Sequence, residues 1–180
     1  MKTLPASPAT AVPVWDRFVR LFHWSLVACV LGNYFFIEDG KALHEWVGYG
    51  ASALVLARVV WGFIGTPHAR FADFFPTPTR LRRHVTELRS GHPAAHDGHN
   101  PLGALMILAL MSLVLALGVT GWMQTLDAFW GDEWLQELHE VAANALIGLA
   151  TLHALSAIVM GRLERTRLVR AMVTGVKERW

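Results

Sequence analysis

The chain has 180 residues, of which 53% are hydrophobic and 17% charged, with a formal net charge of +2 and a mean hydropathy of +0.35. Soluble domains carry about 25% charged residues, so a soluble enzyme or a nucleic-acid-binding module is a poor fit. One membrane-embedded domain is the natural reading at this length.

The first fifteen residues contain Pro5, Pro8 and Pro13 and a single charge, Lys2. That is a poor signal peptide, so residues 1–17 read as a cytoplasmic N-terminal segment. Four apolar stretches follow, at residues 18–37, 43–64, 102–123 and 138–160. Each is long enough to cross about 30 Å of hydrocarbon as a helix. Backbone groups in lipid must pair internally, which makes spans of this kind helical. The expected fold is all-α, an integral-membrane four-helix up-down bundle over residues 18–160. Fourteen of the sixteen basic residues flank or open the spans on one side. The other side holds Lys41 and six acids: Glu38, Asp39, Asp127, Asp132, Glu133 and Glu137. That asymmetry predicts cytoplasmic termini and two short acidic periplasmic loops in a bacterial inner membrane.

The connection 65–101 is basic and cytoplasmic on this reading. Residues 71–78 are aromatic and proline-rich, which predicts irregular chain. Residues 79–89 space Leu81, Val85 and Leu88 between arginines, which predicts a short helix lying on anionic lipid. Residues 161–180 read as an amphipathic cytoplasmic tail of similar character. His68, His84, His92, His96 and His99 fall in the connection, and the run 92–99 is expected to be a solvated loop.

Four further histidines lie in or at the ends of the spans: His23, His44, His139 and His153. Ionisable groups in hydrocarbon are costly and usually functional. Fourteen residues separate His139 from His153, roughly 21 Å along a helix and about 40° around it. His44 and His139 share the acidic end by depth, and His23 and His153 the basic end. Neutral imidazole is a common ligand of haem iron. Two level pairs, His23 with His153 and His44 with His139, therefore point to two stacked haems and an electron path across the bilayer. Two histidines per level leave zinc or copper short of its usual ligand number. No Cys-x-x-Cys-His stretch exists for covalent attachment.

Arg58 lies fourteen residues after His44, on nearly the same face and near the inner level. An unpaired arginine there is expensive, so a haem propionate or a quinone head group is its expected partner. Arg20 precedes His23 by three residues and either holds an inner propionate or anchors the span. Gly48 and Gly148 leave room for a flat macrocycle, whereas Gly118 and Gly121 read as helix packing. Trp15, Trp24, Trp46, Trp122, Trp130 and Trp134 read as an aromatic belt. Met106, Met111 and Met123 read as packing.

The ordered set resembles a known family. It comprises Trp15-Asp16-Arg17 through His23-Trp24, Leu43-His44-Glu45-Trp46-Val47-Gly48-Tyr49, and Arg58 through Trp61-Gly62 to Gly65. His99-Asn100-Pro101-Leu102-Gly103, Leu138-His139-Glu140 and His153 complete it. This pattern resembles bacterial cytochrome b561 and the related b-type cytochromes of nickel–iron hydrogenases, over about residues 14–162. The resemblance implies two non-covalent haems b, each with two histidine ligands, at His23, His44, His139 and His153. It also implies electron exchange between the quinone pool and a periplasmic redox protein such as a c-type cytochrome. Some relatives oxidise superoxide alone and reduce quinone; the acidic loops here weigh against an anionic substrate. Hydrogenase-associated members carry a further helix, so four spans favour the shorter type over a hydrogenase anchor. A haem-free proton or metal transporter is the weakest reading, because no span interior holds an acid.

Overall fold

The computed structural model describes residues 11–90 and 98–179. A three-residue strand, β1 (Ala11–Pro13), leads into helix α1 (Arg17–Phe35). Asp16 starts that helix by accepting a hydrogen bond from the Val19 amide at 2.8 Å. A short acidic loop turns into α2 (Ala42–Ile64). The connection expected to be irregular contains a 3₁₀ turn (Pro67–Ala69) and a single helical turn, α3 (Phe71–Phe74). Phe74 is buried and Phe71 packs edge-on against both Phe63 and Phe74, so aromatic packing orders this stretch despite its prolines. Helix α4 (Pro78–Arg89) is capped by Thr77 and opens on proline, whose fixed φ suits a first turn. Its inner face is set by His84, which is buried, so the helix rests on protein as well as presenting arginines outward.

Asn100 caps α5 (Pro101–Met123), its side-chain oxygen accepting from the Gly103 amide at 2.7 Å. Helix α6 (Glu133–Leu163) has 31 residues and begins before the expected span, because Asp132 and Glu133 supply a helix start in the acidic loop. At about 1.5 Å per residue it is roughly 46 Å long and outreaches the hydrocarbon. The tail is a short helix, α7 (Leu168–Thr174), followed by β2 (Val176–Glu178), which pairs antiparallel with β1. Gly175 makes the turn between them with φ +86°, a conformation glycine adopts freely. Its carbonyl receives the amides of Val14 and Trp15. Residues 11–13 and 176–178 are therefore clasped together.

Four helices, α1, α2, α5 and α6, are long and apolar enough to cross a membrane. Short connections make α1 antiparallel to α2, and α5 to α6. Helix α1 packs on α2, α2 on α5, and α5 on α6, while α6 makes almost no close backbone approach to α1 or α2. A cleft is left along that side. Apolar side chains such as Leu56, Val60, Leu152 and Leu155 face outward, as lipid solvent requires. One core joins Ala51, Val55, Met111, Val114 and Leu146 inside the bundle. A second joins Val14, Trp15, Val19, Ala69 and Ala171 beneath the strand clasp. Trp15 thus belongs to a packed core and not to an aromatic belt, whereas Trp46, Trp122, Trp130 and Trp134 are exposed near helix ends.

Candidate functional site

The cleft between α6 and the α1–α2 pair is where the four span histidines meet. The rings of His23 and His153 have centroids 6.4 Å apart, and those of His44 and His139 lie 6.3 Å apart. Neither pair is in hydrogen-bonding contact. The structure brings together, level by level, the residues that share a depth by counting along the helices.

Each ring is held differently. His23 meets Trp24 edge-on at 5.0 Å, and its Nδ1 is buried without a hydrogen-bond partner. His44 sits in the first turn of α2, where its carbonyl accepts from Asn33 Nδ2 at 3.1 Å. Its Nδ1 is buried without a hydrogen bond, with an Asp39 oxygen 3.5 Å away. His139 Nδ1 lies 2.8 Å from Thr120 Oγ1 on α5. Sequence reading gave Thr120 no role: a threonine in an apolar span carries no periodic or motif signal. A Cβ built on Gly121 would come within 3.3 Å of His139 Cε1, so this glycine lets the ring lie against α5.

Gly48 has only Asn33 Nδ2 near its missing side chain, at 3.7 Å, and nothing lies within 4 Å of the corresponding point at Gly148. Gly48 thus has room on the histidine side of α2, whereas Gly148, nine residues from His139, lies on the opposite, exposed face of α6 and does not border the cleft as the sequence predicts. Gly118 differs, since a side chain there would overlap Ser52 Oγ, and packing explains it.

Arg58 is buried at 3% exposure. Its Nη2 donates to the Ala69 carbonyl at 2.9 Å and its guanidinium lies 5.6 Å from the centre of the Phe71 ring. Nη1 is buried without a partner. The connection thus satisfies half of the arginine, where the sequence predicts a ligand alone. Arg20 Nη1 donates to the Val173 carbonyl at 2.6 Å, while its Nε is buried without a hydrogen bond. Each of the two arginines thus keeps one buried donor without a hydrogen bond.

His99 departs from the solvated loop expected of it. Its ring lies 4.4 Å from Trp15 and 4.8 Å from Phe74, and its Nδ1 is shut off from solvent although the residue as a whole is partly exposed. Burial, reinforced by the charges of Arg58 and Lys177, holds His99 down at about 3. His92 and His96 lie outside the described residues. Lys177 is also buried; it donates to the Gly98 carbonyl at 2.9 Å and lies over Trp15. Among the described residues, no group of three or more His, Cys, Asp or Glu side chains is arranged to hold a metal ion by itself. A cofactor carrying its own equatorial ligands fits the two-histidine levels better than a bare ion does.

Comparison with known proteins gives the family of the chain. A family model described as prokaryotic cytochrome b561 matches residues 14–175. A probable Ni/Fe-hydrogenase B-type cytochrome subunit of Azotobacter vinelandii is 24% identical, with 92% of this chain and 88% of that protein covered. Cytochrome b562 of Cereibacter sphaeroides is 28% identical, with coverages of 91% and 98%. A probable Ni/Fe-hydrogenase B-type cytochrome subunit of Bradyrhizobium diazoefficiens is 20% identical, with coverages of 93% and 86%. No solved structure gives a significant match.

Proposed function

The chain belongs to the prokaryotic cytochrome b561 family, and from that premise we propose that it is a transmembrane di-haem electron carrier linking the quinone pool to a periplasmic redox protein such as a c-type cytochrome. The observation that carries this reading is the spacing of the two histidine pairs, 6.4 and 6.3 Å between ring centres. Two ligand nitrogens each about 2 Å from one metal, with about 1 Å from each nitrogen to its own ring centre, give a separation of about 6 Å. Haem b held there by the two histidines of a pair would supply a one-electron couple suited to outer-sphere transfer.

The residues around the pairs have consistent tasks. His23 and His153 bind at the basic end, and His44 and His139 at the acidic end. The free Nε of Arg20 and Nη1 of Arg58 bind carboxylates at the basic end, where a quinone head group also finds donors. Gly48 keeps the cleft open for a flat ring. The charge asymmetry of the sequence supports a cytoplasmic basic end, with both termini, in a bacterial inner membrane. The acidic end then faces the periplasm and offers Glu38, Asp39 and Asp132 to a cationic partner. The same charges disfavour superoxide as a substrate at that face.

The test is a reduced-minus-oxidised spectrum and haemochrome count on the purified chain and on His23→Ala, His44→Ala, His139→Ala and His153→Ala. Two haems b per chain are expected, with one lost or perturbed by either member of a pair. A colourless protein, or losses that couple His23 with His139, would sink the proposal.

The names of two relatives favour a second reading, in which the chain is the membrane subunit of a larger oxidoreductase. Stable co-purification with a peripheral catalytic subunit would favour it; electron transfer from a soluble cytochrome to quinone by the isolated chain would rule it out.

A further inference from the structure

Thr120 holds His139 through a bond whose polarity can be read. A hydroxyl has one hydrogen and two lone pairs. Thr120 Oγ1 is 2.9 Å from the Ala116 carbonyl, four residues earlier on α5, and a carbonyl only accepts. The Leu117 carbonyl lies 3.3 Å from the same oxygen, so the hydroxyl has two carbonyls to donate to, in the back-bonded arrangement common for threonine inside helices. With the proton so directed, the oxygen accepts from His139 Nδ1 at 2.8 Å and the ring nitrogen is the donor. Thr120 is 8% exposed, so water does not compete for the bond. Gly121, next along the chain, lets the ring rest on α5 with Cε1 at its back. His23 and His44, by contrast, have buried Nδ1 atoms without a hydrogen bond.

We infer that Thr120 is a positioning residue that fixes the Nδ1–H tautomer of His139, leaving Nε2 as its lone-pair nitrogen, and lowers the reduction potential of the haem held between His44 and His139. The inference rests on the di-haem reading above. An acceptor on the far ring nitrogen raises the basicity of a metal-bound histidine. A more basic ligand stabilises the oxidised iron, so the midpoint of that haem falls. At the basic end, His23 has no such acceptor on its Nδ1. The two haems are thereby separated in potential, with the acidic-end haem the stronger reductant.

The test uses the full chain purified in detergent, as wild type, Thr120→Val and Thr120→Ser. Haem is counted first, and the midpoints are then resolved by a spectroscopic redox titration. Wild type and Thr120→Ser are expected to hold two haems with the same two midpoints. Thr120→Val keeps the shape and loses the acceptor; one of its midpoints moves to a more positive potential and the other stays. Both haems present with both midpoints unmoved in Thr120→Val would overturn the inference, as would a shift in Thr120→Ser equal to that in Thr120→Val. Where valine costs a haem outright, Thr120→Ser decides: retention at wild-type midpoints upholds the role of the hydroxyl, and parallel loss overturns it. Fewer than two haems in wild type would sink the di-haem reading itself, a failure distinguishable from that of Thr120 alone.

Discussion

Removing the Asp16 carboxylate should weaken the basic end of the bundle by an amount that can be divided between two causes. Oδ1 accepts the Val19 amide at 2.8 Å; Oδ2 accepts Trp61 Nε1 at 2.9 Å and Thr66 Oγ1 at 2.7 Å. The first bond caps α1, and the other two tie it to the far end of α2 and to the connection. Asparagine retains a capping oxygen but puts an amide where the second oxygen was. Asp16→Asn therefore costs the unmet Trp61 donor, about 1–3 kcal/mol. Asp16→Ala also loses the cap, a further ~1 kcal/mol. Even 2 kcal/mol changes the folded-to-unfolded ratio by roughly thirtyfold. The assay is denaturing-detergent titration of the purified chain followed by helicity. His23 lies seven residues farther along α1, about 10 Å, so spectral change at the His23–His153 level should precede change at the His44–His139 level. Equal stability of all three proteins within about 0.5 kcal/mol, or an asparagine variant as weak as alanine, would refute the reasoning. Burial alone raises the pKa of Asp16, but hydrogen bonds from Val19, Thr66 and Trp61 outweigh it and hold the carboxyl below its ordinary value. Its contribution is thus present above the unfolded pKa of about 3.9 and is lost as pH falls through the folded value.

Two further outcomes are expected. Gly118→Leu should cost about 1–3 kcal/mol by forcing α2 and α5 apart at Ser52, with Ser52→Gly recovering part of the loss; thermal melting of the single and double variants checks this. For His99, the folded pKa lies at about 3, below the unfolded 6.5. Its contribution is complete above pH 6.5 and declines toward pH 3, because the unfolded chain takes up a proton that the folded one refuses. His99→Gln should flatten the stability profile in that window, and an unchanged slope in a pH series of melts would contradict the assignment.

Much of the architecture is legible in the chain because a membrane makes simple demands. Apolar length selects four helices, and a fixed rise per residue turns sequence position into depth. His139 and His153 can therefore be levelled with His44 and His23 by counting. What counting cannot supply is the neighbour of a given side chain. Thr120 looks like any small residue in an apolar span, since its importance depends on α6 standing beside it. The partner of Arg58 is the Ala69 carbonyl, brought in by the Pro67–Ala69 turn, whose sequence gives no sign of the contact. His99 sits in a polar, glycine-flanked run and is enclosed only because Trp15 and Phe74 arrive from other segments. The β1–β2 pair joins three residues to three others across almost the whole chain, with no alternating pattern to announce either strand.

That clasp also orders events during biosynthesis. Residues 176–178 must leave the ribosome before they can meet residues 11–13, by which time all four long helices have been made. Until then Gly175 cannot receive the Val14 and Trp15 amides, nor can Arg20 reach the Val173 carbonyl. The end of the cleft beside His23 thus stays unlatched throughout translation.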